Sequence, residues 1–197
     1  MWPWEHLAFG YLCYSVLVHA LDRRAPDGRR VLVLALATQV PDLVDKPLAW
    51  GLDVFTVGYA VAHSALVVVP LLGLAVVLAA RTDLDGRTVA AYAVGHLSHL
   101  VGDLVYPVFR GGPLLLGRVL WPFASFPGPE TERGLVEQAL VYVLRYLYQI
   151  LTLDPSPLLV AQIGFLTAVG LLWLVDGAPG PGAGVRLLAA RVRRVTN

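Results

Sequence analysis

Long apolar runs separated by short, arginine-bearing loops constrain this chain more than any other feature of its sequence. Only 15% of the residues are charged, against about 25% in a typical soluble domain. Because these charges collect between the apolar runs, the pattern is typical of a chain that crosses a membrane several times. We therefore predict an all-α integral membrane protein of the cell membrane.

Six apolar stretches are candidate membrane helices. Four of them form the core of the predicted polytopic transmembrane helix bundle: residues 6–21, 31–40, 56–80 and 88–108. We expect Pro41 to stop the second stretch, and the first two are short against the roughly 20 residues that cross a bilayer. After an irregular Gly- and Pro-rich connection over residues 111–132, stretches 135–153 and 158–175 add one or two C-terminal membrane helices. Residues 1–176 would then form one transmembrane domain, and residues 177–197 a Gly/Pro hinge with a basic tail.

The distribution of arginine predicts the orientation. Loop 22–30 holds four arginines and loop 81–87 holds two, and both loops join consecutive spans on one side, which we assign to the cytoplasm. Four tryptophans on the opposite side suit an interfacial aromatic belt: Trp2, Trp4, Trp50 and Trp121. Stretch 135–153 either spans the membrane or lies flat at its surface. We favour the flat position, because it leaves the basic tail in the cytoplasm.

Net charge and cysteine content narrow the possible functions. The formal net charge is only +1, so nothing indicates nucleic acid as a partner. Cys13 is the only cysteine, which excludes an intrachain disulfide and a cysteine-based zinc cluster, and we interpret it as a packing residue. Membrane lipid is the expected partner, and the sequence does not indicate an oligomeric state.

Ionisable side chains within the predicted spans collect in one half of the membrane. Successive helices alternate in direction, so residues at the start of one span and at the end of the next lie at the same depth. Such side chains cost several kcal/mol inside a membrane unless they are paired or hydrated, so they mark candidate functional sites. We predict a polar pocket that opens to the non-cytoplasmic face and holds these residues: His6, Asp42, His63, His96, His99 and Asp103.

The fourth span carries the densest part of this group. His96, His99 and Asp103 are spaced three and four residues apart, so they share one helix face. Two ligands on one face can reach a single ion. A neighbouring stripe of small residues would let another helix approach closely: Gly95, Ser98 and Gly102.

Neutral imidazoles with carboxylates suit a divalent metal ion, zinc first, with manganese and iron as alternatives. Zinc lowers the pKa of a coordinated water toward about 7 and so supplies a nucleophile for hydrolysis. Asp42 and Asp45 are candidate general bases, although Asp45 is equally well interpreted as a ligand or as a loop carboxylate near Lys46. His96 is also a candidate ligand of this ion. Because it lies deeper in the membrane than Asp103, it could instead support a ligand from outside or bind a second ion. The competing interpretation of His99 and Asp103 is a structural hydrogen-bonded pair between helices.

These residues resemble the YdjM-like family of membrane-bound, metal-dependent hydrolases. The family combines an N-terminal His, a Pro-Asp pair after the second span, a His-Ser pair early in the third and a Gly-x-x-Ser-His-Leu-x-x-Asp helix. The resemblance covers roughly residues 1–123 and rests on these positions: His6, Pro41-Asp42, His63-Ser64, Gly95 to Asp103 and Leu120-Trp121-Pro122.

Two departures from the family pattern concern the ligands. The family usually has an Asp two residues after the Pro-Asp carboxylate, whereas Asp45 comes three residues after Asp42. It often has a further His before the His-Ser pair, where this chain has residues 57–59 without one, and His96 could substitute for it. The family is distantly similar to zinc-dependent phospholipase C, which implies a phosphoester or phospholipid substrate.

Three functional hypotheses follow. The first is a metal-dependent hydrolase that acts at the outer membrane face on a lipid or lipid-linked phosphoester. The second is a divalent-cation or proton transporter that uses the same ligands, although the apolar cytoplasmic halves of the first four spans argue against a through-path. The third is a non-catalytic membrane protein with a structural metal site.

Overall fold

A computed structural model describes residues 1–124, 134–152 and 156–183, and the regular structure within those ranges is entirely helical. The predicted all-α class is thereby confirmed. The helices are α1 (Pro3–Asp22), α2 (Gly28–Ala37), α3 (Val40–Trp50), α4 (Ala65–Ala79), α5 (Gly86–Phe109), α6 (Leu135–Leu151) and α7 (Pro157–Val175), with a short 3₁₀ helix at Leu116–Arg118.

Loop residues begin several helices by local hydrogen bonding. The carboxylate of Asp27 accepts hydrogen bonds from the first backbone amides of α2, and Asp85 accepts one at the start of α5. The Ser156 hydroxyl accepts one from Leu159 in α7. These side chains satisfy amide donors that have no partner within the helix.

Helix α5 lies at the centre and packs against α1, α2, α3 and α4. The predicted stripe of small residues explains the close contacts. A Cβ on Gly95 would lie 2.7 Å from the Leu34 carbonyl oxygen in α2. A Cβ on Gly102 would lie 3.5 Å from Nδ1 of His6 in α1. The absence of side chains at Gly95 and Gly102 therefore lets α1 and α2 reach the face of α5 that carries the polar residues.

An apolar core cluster joins α1, α2, α5 and α7 below that polar face. Its largest members are Tyr11, Tyr14 and Leu34, and partly buried side chains of α7 such as Phe165 and Trp173 pack around it. This core fixes the relative positions of the helices that carry the polar residues.

Pro41 was predicted to stop the second helix. It lies instead in the first turn of a separate helix, α3. Helix α2 ends at Ala37, and α3 begins at Val40. Proline is well tolerated at this position because the first amides of a helix have no intrahelical partner. Asp42 consequently lies in the first turn of α3 rather than in a loop.

The third predicted stretch begins as a helix nine residues later than expected, at Ala65 instead of residue 56. Residues 51–64 form turns and irregular backbone. The Ser64 hydroxyl donates a hydrogen bond to the Trp121 carbonyl, which ties this segment to the loop after α5. His63 therefore lies in a buried loop before α4, and not about two turns inside a helix.

Within the described ranges, α7 is the one helix long and apolar enough to cross a membrane. Helix α4 is apolar but has 15 residues, and α2 has 10. The four-span core is thus not confirmed: α2 and α4 are too short, whereas α1 and α5 have 20 and 24 residues but are not apolar enough. Both α4 and α7 nevertheless leave large apolar side chains exposed, including Leu71, Leu74, Val160 and Ile163.

Helix α6 packs against the bundle through aromatic rings. Tyr146 contacts Trp2 and Trp4 of the α1 segment, and Tyr142 contacts Trp50 at the end of α3. The apolar residues of α6 point away from the protein: Val136, Leu140, Leu144, Leu147 and Leu151 are all exposed.

The end of the described chain returns to the start of α2. A Cβ on Gly28 would lie 3.0 Å from the Gly180 amide nitrogen, and the Trp173 indole donates a hydrogen bond to the Pro179 carbonyl. The predicted basic tail, with Arg186, Arg191, Arg193 and Arg194, and most of the second half of connection 111–132 lie outside the described residues.

Candidate metal centre

Four buried or nearly buried side chains from three parts of the fold converge beside α5. Asp42 comes from the first turn of α3, His63 from the loop before α4, and His99 and Asp103 from consecutive turns of α5. Each offers one oxygen or nitrogen atom, and the four atoms all lie within 4.8 Å of one another. The structure therefore brings together four of the six residues predicted as metal ligands, and this group could hold a metal ion.

The distances within the group match those of a small coordination polyhedron. Nε2 of His63 lies 3.2 Å from Nε2 of His99. Distances from these nitrogens to Oδ1 of Asp42 and Oδ2 of Asp103 lie between 3.5 and 3.7 Å. A tetrahedral ion with ligand distances of about 2.0–2.2 Å places its ligand atoms about 3.3–3.6 Å apart. Five of the six distances among the four ligand atoms are thus close to those around one such ion, and all six are within 4.8 Å.

The hydrogen bonds of His63 fix its tautomer. Nδ1 lies 2.8 Å from Oδ2 of Asp45, whose carboxylate can only accept a hydrogen bond. Nδ1 must therefore carry the proton, and Nε2 of the neutral ring presents a lone pair to the other three side chains. A carboxylate on the far nitrogen is a common support for a metal-binding histidine.

His99 is oriented in the same way by the backbone. Its Nδ1 lies 2.7 Å from the Thr38 carbonyl oxygen at the end of α2. Carbonyls at a helix C-terminus have no intrahelical partner, so this one is available as an acceptor. Nδ1 of His99 donates to it, and Nε2 again presents a lone pair. Two lone pairs that face each other at 3.2 Å need a cation between or on them, either a proton or a metal ion.

The two carboxylate oxygens of Asp42 have different surroundings. Oδ2 forms an ion pair of 2.5 Å with Nζ of Lys46, one turn further along α3. Oδ1 is buried beside the two imidazoles and has no hydrogen-bond partner among the described residues. A buried carboxylate oxygen without a donor is costly, and a metal ion would supply the missing partner.

Asp45 organises the loop that carries His63. Its carboxylate accepts hydrogen bonds from the backbone amides of Ala60, Ala62 and His63, in addition to the one from the His63 ring. A single fully buried carboxylate therefore replaces the regular hydrogen bonding that this irregular segment lacks. The oxygens of Asp45 are occupied by these donors, an arrangement that favours orienting His63 over direct proton transfer.

His6 lies next to the group of four. Its ring stacks on the His99 ring with a centroid distance of 3.6 Å and an interplanar angle of 9°. Its Nε2 is 3.2 Å from Oδ1 of Asp103, an oxygen that also accepts a 2.7 Å hydrogen bond from the Met1 amino group. Nδ1 of His6 has no hydrogen-bond partner among the described residues.

His96 was also predicted as a ligand, but it lies outside the group of four. Its Nε2 donates a 2.8 Å hydrogen bond to the Ala62 carbonyl in the loop before His63. This bond ties α5 to the loop one turn away from His99. The geometry thus favours the supporting role among those considered for His96.

Comparison with known protein families matches residues 1–178 to the YdjM inner membrane protein family. The chain belongs to this family. The match extends well past residue 123, where the sequence resemblance was placed, and so includes α6 and α7. Neither the curated proteins nor the solved structures contain a match.

Basic and aromatic residues beside the centre of this YdjM family protein were missed by the sequence reasoning. The Arg118 guanidinium donates a 2.9 Å hydrogen bond to the backbone carbonyl of Asp103. It also lies 4.6 Å from the ring centroid of Tyr59, which contacts the ring of His63 edge-on. Arg118 follows an irregular Gly/Pro-rich segment, so its sequence position carries no periodic signal for this contact.

A second polar cluster in this YdjM family protein lies toward the other end of α1. Asp176, at the end of α7, accepts hydrogen bonds of 2.6 Å from Tyr11 and 2.7 Å from Ser15, and it pairs with His19 at 2.7 Å. The three partners recur every four residues along α1, a spacing that could have indicated a polar face. Asp176 was not singled out because it follows a helix that carries few polar residues.

Proposed function

We propose that this YdjM family protein is a metal-dependent hydrolase that acts at the non-cytoplasmic membrane surface on the phosphoester of a lipid or lipid-linked substrate. The proposal is carried by the lone pairs on Nε2 of His63 and His99, which face each other. Beside them lies Oδ1 of Asp42, which has no hydrogen-bond partner in the described part of the chain. Asp45 and the Thr38 carbonyl fix both tautomers, so the group is preorganised to receive a cation.

Asp42, His63, His99 and Asp103 would hold the ion, with zinc favoured by two imidazoles and two carboxylates, and manganese or iron as alternatives. A bound ion of this kind polarises a phosphoryl oxygen and activates water at neutral pH.

His6 is the group best placed to move a proton. Its Nε2 lies 3.2 Å from Oδ1 of Asp103, and its Nδ1 has no hydrogen-bond partner among the described residues. Asp42 would contribute one oxygen to the ion and keep the other on Lys46, while the Asp45 oxygens remain on the loop. We therefore assign proton transfer to His6 in preference to Asp42 and Asp45, the general bases predicted from the sequence.

The surroundings of the centre support action on a membrane-borne substrate. Tryptophan and tyrosine rings cluster at the same end of the bundle, through contacts of Trp2 and Trp4 with Tyr146 and of Trp50 with Tyr142. Aromatic side chains of this kind favour the interface between lipid and water. A centre at that depth is within reach of a lipid headgroup.

The second polar cluster favours one competing function, a transporter. Asp176, His19 and Ser15 give α1 polar groups at its other end, contrary to the prediction that this half is nearly all apolar. Along α1, the buried apolar residue Ala8 separates His6, beside the first cluster, from Tyr11 of the second. Metal uptake into proteoliposomes by the parent chain, with no hydrolysis of any phosphoester, would favour transport.

Elemental analysis of the detergent-purified chain tests the metal centre. We expect about one transition-metal ion per chain, as in a single four-ligand site, and loss of that ion in a His99→Gln, Asp103→Asn double variant. A His19→Gln, Asp83→Asn double variant changes the same residue types elsewhere and should keep the ion. Equal metal content in all three proteins would contradict the centre.

A hydrolase screen follows with bis(p-nitrophenyl) phosphate and short-chain phospholipids. Turnover that requires the ion and disappears in the His99→Gln, Asp103→Asn variant would support the proposal. A tightly bound ion without turnover of any ester, whose removal unfolds the chain, would instead establish a structural metal site.

A further inference from the structure

We propose that α6 is an interfacial helix. It lies along the membrane surface at the metal-centre end of the bundle and buries its apolar face in the boundary between lipid headgroups and acyl chains. The partner of this face is thus a lipid surface. This role of α6 requires neither a bound metal nor hydrolysis, so it stands apart from the proposed function.

Both halves of α6 contact the end of the bundle that carries the metal centre. At its start, a Cβ on Gly51 at the end of α3 would lie 3.9 Å from Cβ of Leu135, and α3 also carries a side chain of the group of four. In its second half, Tyr146 contacts Trp2 and Trp4 at the start of α1. A helix of 17 residues is about 25 Å long, so a spanning orientation would carry one half away from these contacts.

The direction of α7 fixes the position of the end of α6. Gln162, near the start of α7, donates a 2.7 Å hydrogen bond to the hydroxyl of Tyr106, three residues after Asp103 in α5. Asp176, at the end of α7, accepts a hydrogen bond from Ser15 toward the other end of α1. Helix α7 therefore starts at the metal-centre end, and only residues 152–156 join α6 to it. A connection of this length reaches about 20 Å at most, too little to return across a hydrocarbon core of about 30 Å.

The polar and apolar faces of α6 are reversed relative to those of a surface helix in water. Gln138 is buried against the protein, whereas Leu140, Leu144 and Leu147 on the other side are each about half exposed. A helix on the surface of a soluble protein buries its leucines and exposes its polar residues. The arrangement in α6 is favourable where the outward face meets an apolar solvent, and lipid supplies one.

The two flanks of α6 differ in polarity. Because successive residues are about 100° apart around a helix, Arg145 and Tyr148 lie on one flank, and Val143 and Ile150 lie on the opposite one. All four side chains are exposed. Basic and tyrosine side chains favour the level of the headgroups, and aliphatic ones favour the acyl chains. Polarity therefore changes across α6 rather than along it, as expected for a helix parallel to the membrane surface.

The outward face of α6 continues a surface that is suited to lipid. The chain belongs to an inner membrane protein family, and α7 is long and apolar enough to cross a membrane. Leu151 at the end of α6 and Val160 near the start of α7 are 78% and 61% exposed. Lipid that surrounds α7 can therefore also cover α6, which would hold the metal centre at the depth of the headgroups.

Spin labels spaced seven residues apart measure the depth of α6 in a bilayer. The full chain with Cys13→Ala carries one of three further substitutions, Val136→Cys, Val143→Cys or Ile150→Cys. Each labelled chain is placed, one per disc, in nanodiscs of phosphatidylcholine and phosphatidylglycerol. The accessibility of the label to oxygen, which concentrates among acyl chains, and to a nickel chelate, which stays in water, gives its depth.

Helix α7 carries the matched control series, with exposed residues at the same spacing: Val160, Thr167 and Leu174. Because seven residues of helix rise about 10 Å, the middle label of this series should be about 10 Å deeper than the outer two. The three α6 labels should instead share one depth, about 5–10 Å into the boundary between headgroups and acyl chains. A label at Tyr148→Cys should be more accessible to the nickel chelate than one at Val143→Cys.

Three results would overturn the interfacial position. A Val143→Cys label about 10 Å deeper than both outer labels would show that α6 spans the membrane. Labels that all meet the nickel chelate and not the oxygen-rich region would place α6 in water. Low access to both reagents at all three positions would show that protein rather than lipid covers this face. If one labelled variant does not fold, Leu140→Cys or Leu147→Cys reports the depth of the same face.

Discussion

Nε2 of His96 donates a 2.8 Å hydrogen bond to the backbone carbonyl of Ala62, next to His63 in the chain. This bond positions the loop and directs His96 away from the metal centre. We expect His96→Leu to keep the ion and to lower the free energy of unfolding by about 1–3 kcal/mol, because a buried carbonyl loses its donor. His96→Gln can still donate and should restore much of the stability. Metal analysis and thermal unfolding of both variants check this, and metal loss in the Gln variant would make His96 a ligand.

Asp45 supports His63 from outside the group of four. We expect Asp45→Asn to weaken zinc affinity about 10–100-fold, since removal of such a supporting carboxylate has that effect in metal sites. Competition with a chromogenic chelator measures the affinity. Asp53→Asn, in the exposed turn after α3, is the matched control and should leave the affinity unchanged. An Asp45→Asn chain with parental zinc affinity would show that His63 does not depend on this hydrogen bond.

Gly95 sets the distance between α5 and α2. A Cβ there would lie 2.7 Å from the Leu34 carbonyl oxygen and 2.9 Å from Cβ of Ala37. We expect Gly95→Ala to lower the free energy of unfolding by about 1–3 kcal/mol through overpacking. Gly164→Ala in α7, where a Cβ meets no atom within 4 Å, should be neutral or stabilising because alanine favours helix. Thermal unfolding in detergent compares the two, and equal melting temperatures would argue against the close contact.

Asp176 joins α7 to α1 through three side chains of α1. We expect Asp176→Ala to lower the free energy of unfolding by about 1.5–3 kcal/mol, because Tyr11 and Ser15 lose a charged acceptor. Hydrogen exchange should also increase at the end of α7. Asp83→Ala, in the exposed loop before α5, is the control. Unchanged exchange in Asp176→Ala would show that the apolar core alone holds α7.

The Asp85 carboxylate should stabilise the folded chain in a way that depends on pH. Hydrogen bonds from the Thr88 hydroxyl and from Arg30 lower the pKa of this loop carboxylate to about 2, from an ordinary value of 3.8. Because the pKa is lower in the folded chain, the stabilisation is present above pH 4 and is lost as the pH falls toward 2. The melting temperature of Asp85→Asn should therefore be below that of the parent at pH 6 and approach it near pH 2. A difference that does not change with pH would contradict this assignment.

The helical class and the convergence of the polar residues could be predicted because both depend on patterns local to the sequence. Helix α5 matched its prediction within two residues at its start and one at its end, since its polar face and its apolar face repeat with helical spacing. His99 and Asp103 were correctly placed together for that reason. The prediction that Asp42 and His63 lie near them relied on the alternation of helix direction.

Other parts of the site depend on contacts that have no local signal. The start of the third helix was predicted too early because residues 56–62 are nearly all apolar, although Asp45 holds the following loop in an irregular conformation. Arg118 reaches Asp103 only because Pro107 leaves a carbonyl available in α5. Hydropathy describes how apolar a segment is, but it does not describe which distant side chain supplies its missing hydrogen bonds.

Folding of the loop before α4 and the geometry of the candidate centre both depend on Asp45. The carboxylate that orients His63 also holds the backbone of residues 60–63 in place. A descendant of this chain that no longer needed an ion would still be under selection to keep Asp45, because the loop would otherwise lose its conformation. Retention of Asp45 in a relative would therefore be poor evidence of activity, whereas replacement of Asp42 or His99 would mark a lineage in which the centre has been abandoned.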